Sequence, residues 1–192
     1  MKKIIIILSF FIIANTQAQE NKIKAFSIID VSAEMQVYPT GLIPGIRFDA
    51  NLSKKDALNF RLAMNIFDHR DLPMKAGINN HTSETGFGYG FSLGYRHYFW
   101  NNVKNLFVGA RSDLWVNKVD WQKTNNIKGV SNIIVIQPTI EAGWLFEIGK
   151  TKNFIVTPSI GFGYEWNALV NGEQTGYGMI LLAGVSIGYR NK

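Results

Sequence analysis

The sequence predicts an all-β fold in which eight antiparallel strands close into a transmembrane barrel. From residue 23 onward, apolar residues recur at every second position, which is typical of strands with two unlike faces. One face carries no charged residue, and the strand glycines fall on the other face. The 192 residues are 46% hydrophobic. Because no run beyond the N-terminus approaches the ~20 apolar residues of a membrane-spanning helix, a polytopic helical protein is excluded.

The first eighteen residues have the pattern of a secretory signal peptide. A short basic start is followed by an apolar run over Ile4–Ala14 and then by small and polar residues up to Ala18. This order predicts cleavage after Ala18, with Gln19 as the alternative. The predicted organisation is therefore a cleaved leader at 1–18 and a barrel domain at 19–192. Cleavage leaves eighteen basic and fourteen acidic residues, and a net charge of +4 is too small to indicate a nucleic-acid partner.

Eight strands follow from the alternation. No Asp, Glu, Lys or Arg falls on their apolar face, where average composition would place roughly ten. The apolar faces span residues 23–38, 42–52, 58–66, 87–99, 106–116, 134–148, 154–166 and 177–189.

The strand glycines indicate which face is inside. The interior of an eight-stranded barrel is only just wide enough for side chains, so small residues belong there. An apolar outer face and a polar, glycine-rich inner face are what a transmembrane barrel requires. Eleven glycines lie on the polar face, at positions 45, 88, 90, 94, 109, 143, 161, 163, 178, 184 and 188.

The connections predict the orientation of the barrel. Short periplasmic turns alternating with longer extracellular loops are typical of such barrels, with both termini in the periplasm. Pro39-Thr40 is a tight exception among the loops. The predicted turns are 51–56, 100–104 and 149–152, and the predicted loops are 68–86, 117–131 and 167–176.

In this pattern the chain resembles the small eight-stranded outer-membrane barrels of the OmpA/OmpX type. The segment Gly184–Tyr189 is similar to their C-terminal assembly signal, with alternating apolar residues and a final aromatic. It departs from that signal by the residues Arg190-Asn191-Lys192 after the aromatic and by Leu182 at a usually polar position. The resemblance implies location in the outer membrane of a Gram-negative bacterium. It also implies contact with outer-membrane lipids and lipopolysaccharide, and recognition by the barrel-insertion machinery.

Ionisable residues at inward positions predict a structural ion-pair network in the lumen. Acids and bases nearly balance there, as the cost of unpaired buried charge requires. With a two-residue turn at Pro39-Thr40, Arg47 lies opposite Ser32 and within reach of acids on the neighbouring strand. A gate or a proton path is the functional alternative. The predicted network comprises Asp30, Glu34, Arg47, Asp49, Arg61, Arg96, Arg111, Asp113, Glu141 and Glu165.

The segment His81-Thr82-Ser83-Glu84 is the strongest enzymatic candidate. Its H-x-S spacing is similar to that of the outer-membrane lipid A deacylase, a barrel enzyme that uses Ser, His and an acid. In a strand, His81 and Ser83 would share a face, so that the imidazole could activate the hydroxyl. The sequence places them instead in the long loop 68–86, where no strand fixes the geometry. We therefore expect no catalytic residues, and a lipid-A-modifying hydrolase is the alternative.

The remaining histidines and the loop lysines predict no metal site and no cofactor. His97 is expected on the lipid face near the periplasmic rim, and His69 has no partner at metal-ligand spacing. Lys118, Lys123 and Lys128 are expected in a loop, where they could pair with lipopolysaccharide phosphates or remain solvated.

The predicted function is that of a non-enzymatic surface protein. Its loops would bind an unidentified extracellular ligand, or its barrel would support the envelope. A small gated pore is a further alternative, although eight strands leave no open channel unless the filling moves.

Overall fold

The computed structural model describes residues 28–68 and 81–191. Each strand pairs antiparallel with its neighbours in the chain, and the first strand also pairs with the last, so that the barrel closes. The predicted fold of eight antiparallel strands in a closed ring is confirmed. The strands are β1 (Ile28–Tyr38), β2 (Gly41–Asn51), β3 (Asp56–Asp68), β4 (His81–Trp100), β5 (Lys104–Lys123), β6 (Lys128–Ile148), β7 (Phe154–Asn171) and β8 (Gly178–Arg190).

Several predictions concern residues outside these ranges. They are the leader at 1–18, the start of the first strand at residue 23, and His69. In the described part of the chain, no helix has the length and apolar character needed to cross a membrane.

The outward side chains along the middle of the strands are apolar and exposed. Ile140 and Ile160 each expose 65% of their surface, whereas the next residue inward from Ile140, Glu141, exposes 6%. A water-soluble monomer tolerates apolar patches of only a few hundred Å². The outer ring is therefore the lipid-facing surface of a transmembrane barrel.

Three layers of side chains fill the lumen. Charged and polar residues occupy the middle, and an apolar cluster lies at each end. The turn-end cluster consists of Ala57, Tyr98, Val103, Phe107, Leu145 and Ile155. The loop-end cluster consists of Ile43, Ala63, Phe67, Trp115, Val119, Ile133, Val135, Ile180 and Leu182.

Strands β4 to β7 are longer than predicted. They contain 18 to 21 residues, whereas the other four contain 11 to 13. The predicted loop 117–131 is wrong, because only residues 124–127 separate β5 from β6. Strand β4 begins at His81, so residues 81–86 of the predicted loop 68–86 belong to a strand. The connection between β7 and β8 shortens to residues 172–177, here called the β7–β8 loop.

These corrections have a physical reason. In the upper part of β5, Val119 and Trp121 face inward and are buried, while Lys118 and Asp120 face outward. Beyond the lipid, the outer face meets water and the inner face packs on the loop-end cluster. The polarity of the two faces is therefore reversed there, and a pattern read as apolar outward ends too early.

Three prolines lie inside strands without changing their register. The β6–β7 ladder has no Cα pairs at Pro138 and Pro158, yet the pairing on either side keeps the same spacing. The β2–β3 ladder is interrupted in the same way at Pro44. Proline has no backbone N–H and therefore cannot donate a ladder hydrogen bond. Local gaps in the strand pairing, rather than bulges, accommodate this loss.

Candidate functional sites in the lumen and at the loop end

Two inward carboxylates each bridge a pair of arginines in the middle of the lumen. Glu141 accepts hydrogen bonds from Arg96 Nε at 2.5 Å and from Arg111 Nη1 at 2.8 Å. Asp113 accepts from Arg61 Nη2 at 2.8 Å and from Arg111 Nε at 3.2 Å. All five side chains are buried. Their charges are therefore compensated by the opposite charges of neighbouring side chains rather than by bulk water.

Arg47 extends this network toward β1 and β8. Its Nε donates to Asp49 Oδ2 at 3.0 Å, and its Nη2 donates to Ser186 Oγ at 2.8 Å. Glu34 Oε2 lies 3.5 Å from Arg47 Nη1. Arg47 pairs with Ser32 across the two strands, which is the register that the two-residue turn predicts.

Gln36 joins the network at a position that the sequence analysis did not single out. Its Oε1 accepts from Arg61 Nη1 at 2.6 Å and from Arg111 Nη2 at 2.9 Å. Its Nε2 donates to Glu34 Oε1 at 2.8 Å. An amide can bridge cations and an anion because it has both donors and an acceptor. The signal in the sequence was its inward position, two residues from Glu34.

Two residues of the predicted network lie outside this central group. Asp30 accepts hydrogen bonds from Arg190 Nε at 2.7 Å and Nη2 at 2.6 Å. Arg190 also lies 3.1 Å from Glu147 Oε1, so this trio forms a second group at the turn end. Glu165 lies near the loop end of β7 and makes no hydrogen bond or ion pair among the described residues.

Cation–π contacts connect the charged layer to both apolar clusters. The guanidinium of Arg96 lies 4.4 Å from the ring centroid of Phe107 at the turn end. Arg61 lies 5.7 Å from the Trp115 ring at the loop end. Such contacts place the apolar side of a guanidinium against a ring face while its edges hydrogen-bond elsewhere. The three layers therefore pack continuously.

At the loop end, His81 is held between two carboxylates. Its Nδ1 lies 2.8 Å from Glu84 Oε1, and its Nε2 lies 3.3 Å from Glu173 Oε2. The imidazole stacks on Trp121, with ring centroids 4.8 Å apart. Lys123 Nζ donates to Glu173 Oε1 at 2.8 Å. This bond from Lys123, assisted by His81, lowers the pKa of the Glu173 carboxyl.

The β7–β8 loop folds inward onto this cluster. The Ser131 hydroxyl donates to the carbonyl oxygen of Glu173 at 2.8 Å and accepts from the N–H of Glu173 at 2.9 Å. The Gly176 N–H donates to Glu84 Oε2 at 3.1 Å, and Thr175 is buried. The loop is thereby fixed across the end of the barrel.

His81 and Ser83 do not form a nucleophile–base pair. The segment lies in β4 rather than in a loop, which corrects the prediction. A register shift between His81 and Ser83 indicates a bulge, so the two residues do not share a face. Ser83 precedes the inward Glu84 and points to the opposite, outer face. Both nitrogens of His81 meet carboxylates, and neither meets a hydroxyl.

A cavity of about 30 Å³ lies beneath the β7–β8 loop. Apolar residues of the loop-end cluster form part of its wall. Polar side chains complete the wall, namely Tyr38, Asn65, Glu84, Asn117, Glu165 and Asn167. Over residues 28–68 and 81–191, no group of three or more His, Cys, Asp or Glu residues is arranged to hold a metal ion.

The remaining candidates lie at the two rims. His97 Nδ1 is 2.8 Å from Asp56 Oδ1 at the turn end. Lys118 and Lys128 are exposed on the outer face at the loop end. All three lysines belong to strands rather than to a loop, Lys118 and Lys123 to β5 and Lys128 to β6, which corrects their predicted position. Lys123 pairs with Glu173 on the inner side.

A closed eight-stranded antiparallel barrel with an apolar outer ring and a charged lumen is the fold of the small outer-membrane barrels. The chain is similar to the N-terminal β-barrel domain of Pseudomonas aeruginosa OprF, with a TM-score of 0.51 and 12% identity over 86% of this chain and 99% of that one. It is similar to the attachment invasion locus protein Ail of Yersinia pestis, described in complex with the heparin analogue sucrose octasulfate. There the TM-score is 0.51 and the identity 8%, over 88% of this chain and 100% of that one.

A third similar structure is Neisserial surface protein A, with a TM-score of 0.51 and 15% identity over 85% of this chain and 99% of that one. At sequence identities this low, the structural similarity shows a shared fold and nothing more. No family model matches the sequence, and no curated protein matches it either.

Proposed function

We propose that this protein is a non-enzymatic barrel of the Gram-negative outer membrane, exported by a leader at 1–18, that acts at the cell surface through its loop end. The filled lumen is the observation that carries the proposal. Four arginines and four carboxylates, all at most 7% exposed, lie between two apolar clusters. A pore would have to break several buried ion pairs, each of which is costly to open.

The loop end offers a rigid surface for interaction. β4 to β7 continue beyond the apolar outer band and remain paired with one another. Binding residues are commonly presented by segments that a rigid scaffold positions. The extended strands and the fixed β7–β8 loop supply such a scaffold.

Two measurements test this proposal against its alternatives. In planar bilayers, the purified protein should give no conductance steps above those of a protein-free bilayer. Mass spectrometry of lipid A from cells with and without the protein should give the same acylation pattern, because Ser83 and His81 lie on opposite faces. Conductance steps would favour the pore, and a shortened acylation pattern would favour the hydrolase.

Phosphate groups of lipopolysaccharide are the partner that we propose for the outward lysines. Lys118 and Lys128 lie on the outer faces of β5 and β6 toward the loop end, the end at which lipopolysaccharide headgroups are expected. Ail is described with a polyanion, the heparin analogue sucrose octasulfate, and a similar preference is proposed here. The terminal segment Gly184–Tyr189 would be read by the insertion machinery, as in the barrels that it resembles.

Binding to lipopolysaccharide vesicles measures this contact. Replacing both Lys118 and Lys128 with Gln should weaken binding and reduce its salt dependence, since two exposed positive charges are lost. The matched control is Lys152→Gln in the exposed turn between β6 and β7, which should bind like the wild type. Equal binding by all three proteins would remove the lysines from the interface.

A further inference from the structure

The cavity beneath the β7–β8 loop is lined by a carboxyl group, that of Glu165, which has no cationic partner among the described residues. Every other inward carboxylate described above contacts an arginine, a lysine or a histidine, whereas Glu165 contacts none of these within residues 28–68 and 81–191. The charged group that acts on Glu165 is Asp113, which is itself a carboxylate. Holding a carboxylate away from water is costly unless it takes up a proton or a cation joins it.

Unpartnered amide groups line the same cavity. Asn117 is 7% exposed, and its Oδ1 has no hydrogen-bond partner in the described part of the chain. Asn167 Nδ2 donates to the carbonyl oxygen of Thr175 at 3.2 Å. Its Oδ1 is buried and has no partner among the residues that the structure describes. Buried polar groups in folded proteins are nearly always paired. Two orphaned amide oxygens at one cavity therefore point to a ligand that accepts their lone pairs.

Two further oxygens belong to the polar part of the wall. The Tyr38 hydroxyl donates to Asn65 Oδ1 at 2.7 Å, so its oxygen can still accept or coordinate. Glu84 Oε2 faces the loop and accepts a hydrogen bond from the Gly176 N–H at 3.1 Å. The cavity thus combines carboxylate, amide and phenol oxygens from four strands.

We propose that this cavity binds a single hard cation of the calcium class. Ca²⁺ takes carboxylate and amide oxygens together with water, in flexible geometry. A space of about 30 Å³ admits an ion with one or two waters, since one water needs at least ~10–15 Å³. Mg²⁺ gives up its water reluctantly and requires near-ideal octahedral ligands, so it fits this space poorly. An anion is disfavoured in this cavity because it would lie next to the carboxyl groups of Glu165 and Glu84.

The position of the β7–β8 loop adds a consequence to this assignment. Thr175 and Gly176 form part of the cavity wall, and Asn167 and Glu84 each hold one of them by a hydrogen bond. A cation bound by Glu84, Asn167 and Glu165 would therefore join the loop contacts to β4 and β7. Ion binding is expected to stabilise the closed loop.

Terbium luminescence tests the site in the full-length protein, in detergent micelles free of lipopolysaccharide. Tb³⁺ replaces Ca²⁺ at oxygen sites, and Tyr38 in the cavity wall can transfer excitation to it. We expect sensitised emission that Ca²⁺ displaces and Mg²⁺ does not. Glu165→Gln should weaken Ca²⁺ binding on the order of tenfold or more, because ligand charge sets the affinity of such sites. The matched control, Asp120→Asn on the outer face of β5, should retain wild-type binding.

A second variant and a stability measurement complete the test. Asn117→Asp adds a carboxylate at an orphaned position and should tighten Ca²⁺ binding. Ca²⁺ should raise the unfolding temperature of the wild type but not that of Glu165→Gln. The assignment is overturned by wild-type protein without Ca²⁺-displaceable emission, by unchanged affinity in Glu165→Gln, or by equal effects of Ca²⁺, Mg²⁺ and Na⁺. Equal effects would indicate ionic strength or a monovalent ion.

Discussion

Arginine, rather than lysine, supplies the positive charge in the centre of the lumen. Each central arginine contacts at least two side chains, as Arg111 does with Asp113, Glu141 and Gln36. A planar guanidinium with five donors can meet several acceptors in fixed directions, whereas an ammonium is a compact point charge. Each arginine consequently fixes the relative positions of several strands.

Removing the charge of Glu141 should destabilise the barrel strongly. Glu141→Gln keeps the side-chain shape but leaves Arg96 and Arg111 without their shared anion, which should lower the free energy of unfolding by about 3–5 kcal/mol. Urea titration in lipid vesicles measures this loss. Glu147→Gln is the control, because Glu147 is half-buried and Arg190 keeps Asp30, so its loss should stay below about 1 kcal/mol. Similar losses in both variants would contradict the role given to Glu141.

A methyl group at Gly188 should also be poorly tolerated. An added Cβ would lie 2.3 Å from the Val31 carbonyl oxygen and 2.7 Å from Ser32 Cα, and these backbone atoms cannot move without shifting β1. Gly161 is the matched control, since its nearest contact would be a Thr139 methyl at 3.2 Å. Gly188→Ala should lower the folded yield on refolding into micelles, and Gly161→Ala should change it little. The opposite order would contradict the packing described here.

The sequence predicts which side chains enter the lumen but not which partners they have. Side chains along a strand point alternately inward and outward, so the inward direction of the ten network residues follows from the alternation alone. The pairing of Asp30 with Arg190, rather than with Arg47, depends on how β1 meets β8 across the closure. The lack of a cationic partner for Glu165 among the described residues likewise depends on its height in the barrel. Neither feature can be predicted from the sequence of a single strand.

The extended parts of β4 to β7 show how the surroundings change the meaning of a pattern. In Ile133–Ile136 both faces are apolar, because the outward residues lie at lipid level while the inward ones belong to the loop-end cluster. In the upper part of β5, the outward Lys118 and Asp120 are charged, whereas the inward residues are apolar and buried. A rule that assumes lipid outside everywhere assigns these segments to loops. Sustained alternation beyond the change of polarity, as in Val119 and Trp121, was the available signal.

The attachment of the β7–β8 loop should depend on pH through Glu173. Its pKa is lowered from the ordinary value of 4.5 by the bond from Lys123, so the ionised form supports the closed loop. This support is complete above the ordinary value and is lost as the pH falls through the lowered one. In micelles, the NMR signal of the Glu173 amide, which is bonded to Ser131, should shift in that acid range.

The matched variant for this prediction is Glu173→Gln. It removes the titrating group while keeping the backbone bonds to Ser131 possible. The acid transition of the residue 173 amide should then disappear. An identical pH profile in the variant would mean that another group controls the loop.

The whole molecule should behave as a closed barrel during electrophoresis. Before boiling in dodecyl sulfate, the paired ladders and the filled lumen should keep it folded, and boiling should unfold it. The two forms should therefore migrate at different apparent masses, and the protein should fractionate with outer membranes. Recovery of a monomer from periplasmic extract without detergent would contradict the lipid-facing assignment of the outer ring.

The closure of the barrel has a consequence for the order of folding. All pairings but one join consecutive strands, whereas β1 meets β8 across almost the whole described chain, with Asp30 and Arg190 separated by 160 positions. Such a distant contact has the largest loop-closure entropy and forms late.

Strands β1 and β8 must therefore pair in the correct register after the pairing of the other strands has fixed the circumference of the barrel. A slip by two residues would keep the apolar side chains outward, so hydrophobic patterning alone does not prevent it. It would, however, separate the Arg190 guanidinium from Asp30 and leave both charges buried. The basic residue that follows the terminal aromatic thus selects the correct register in the last step of assembly.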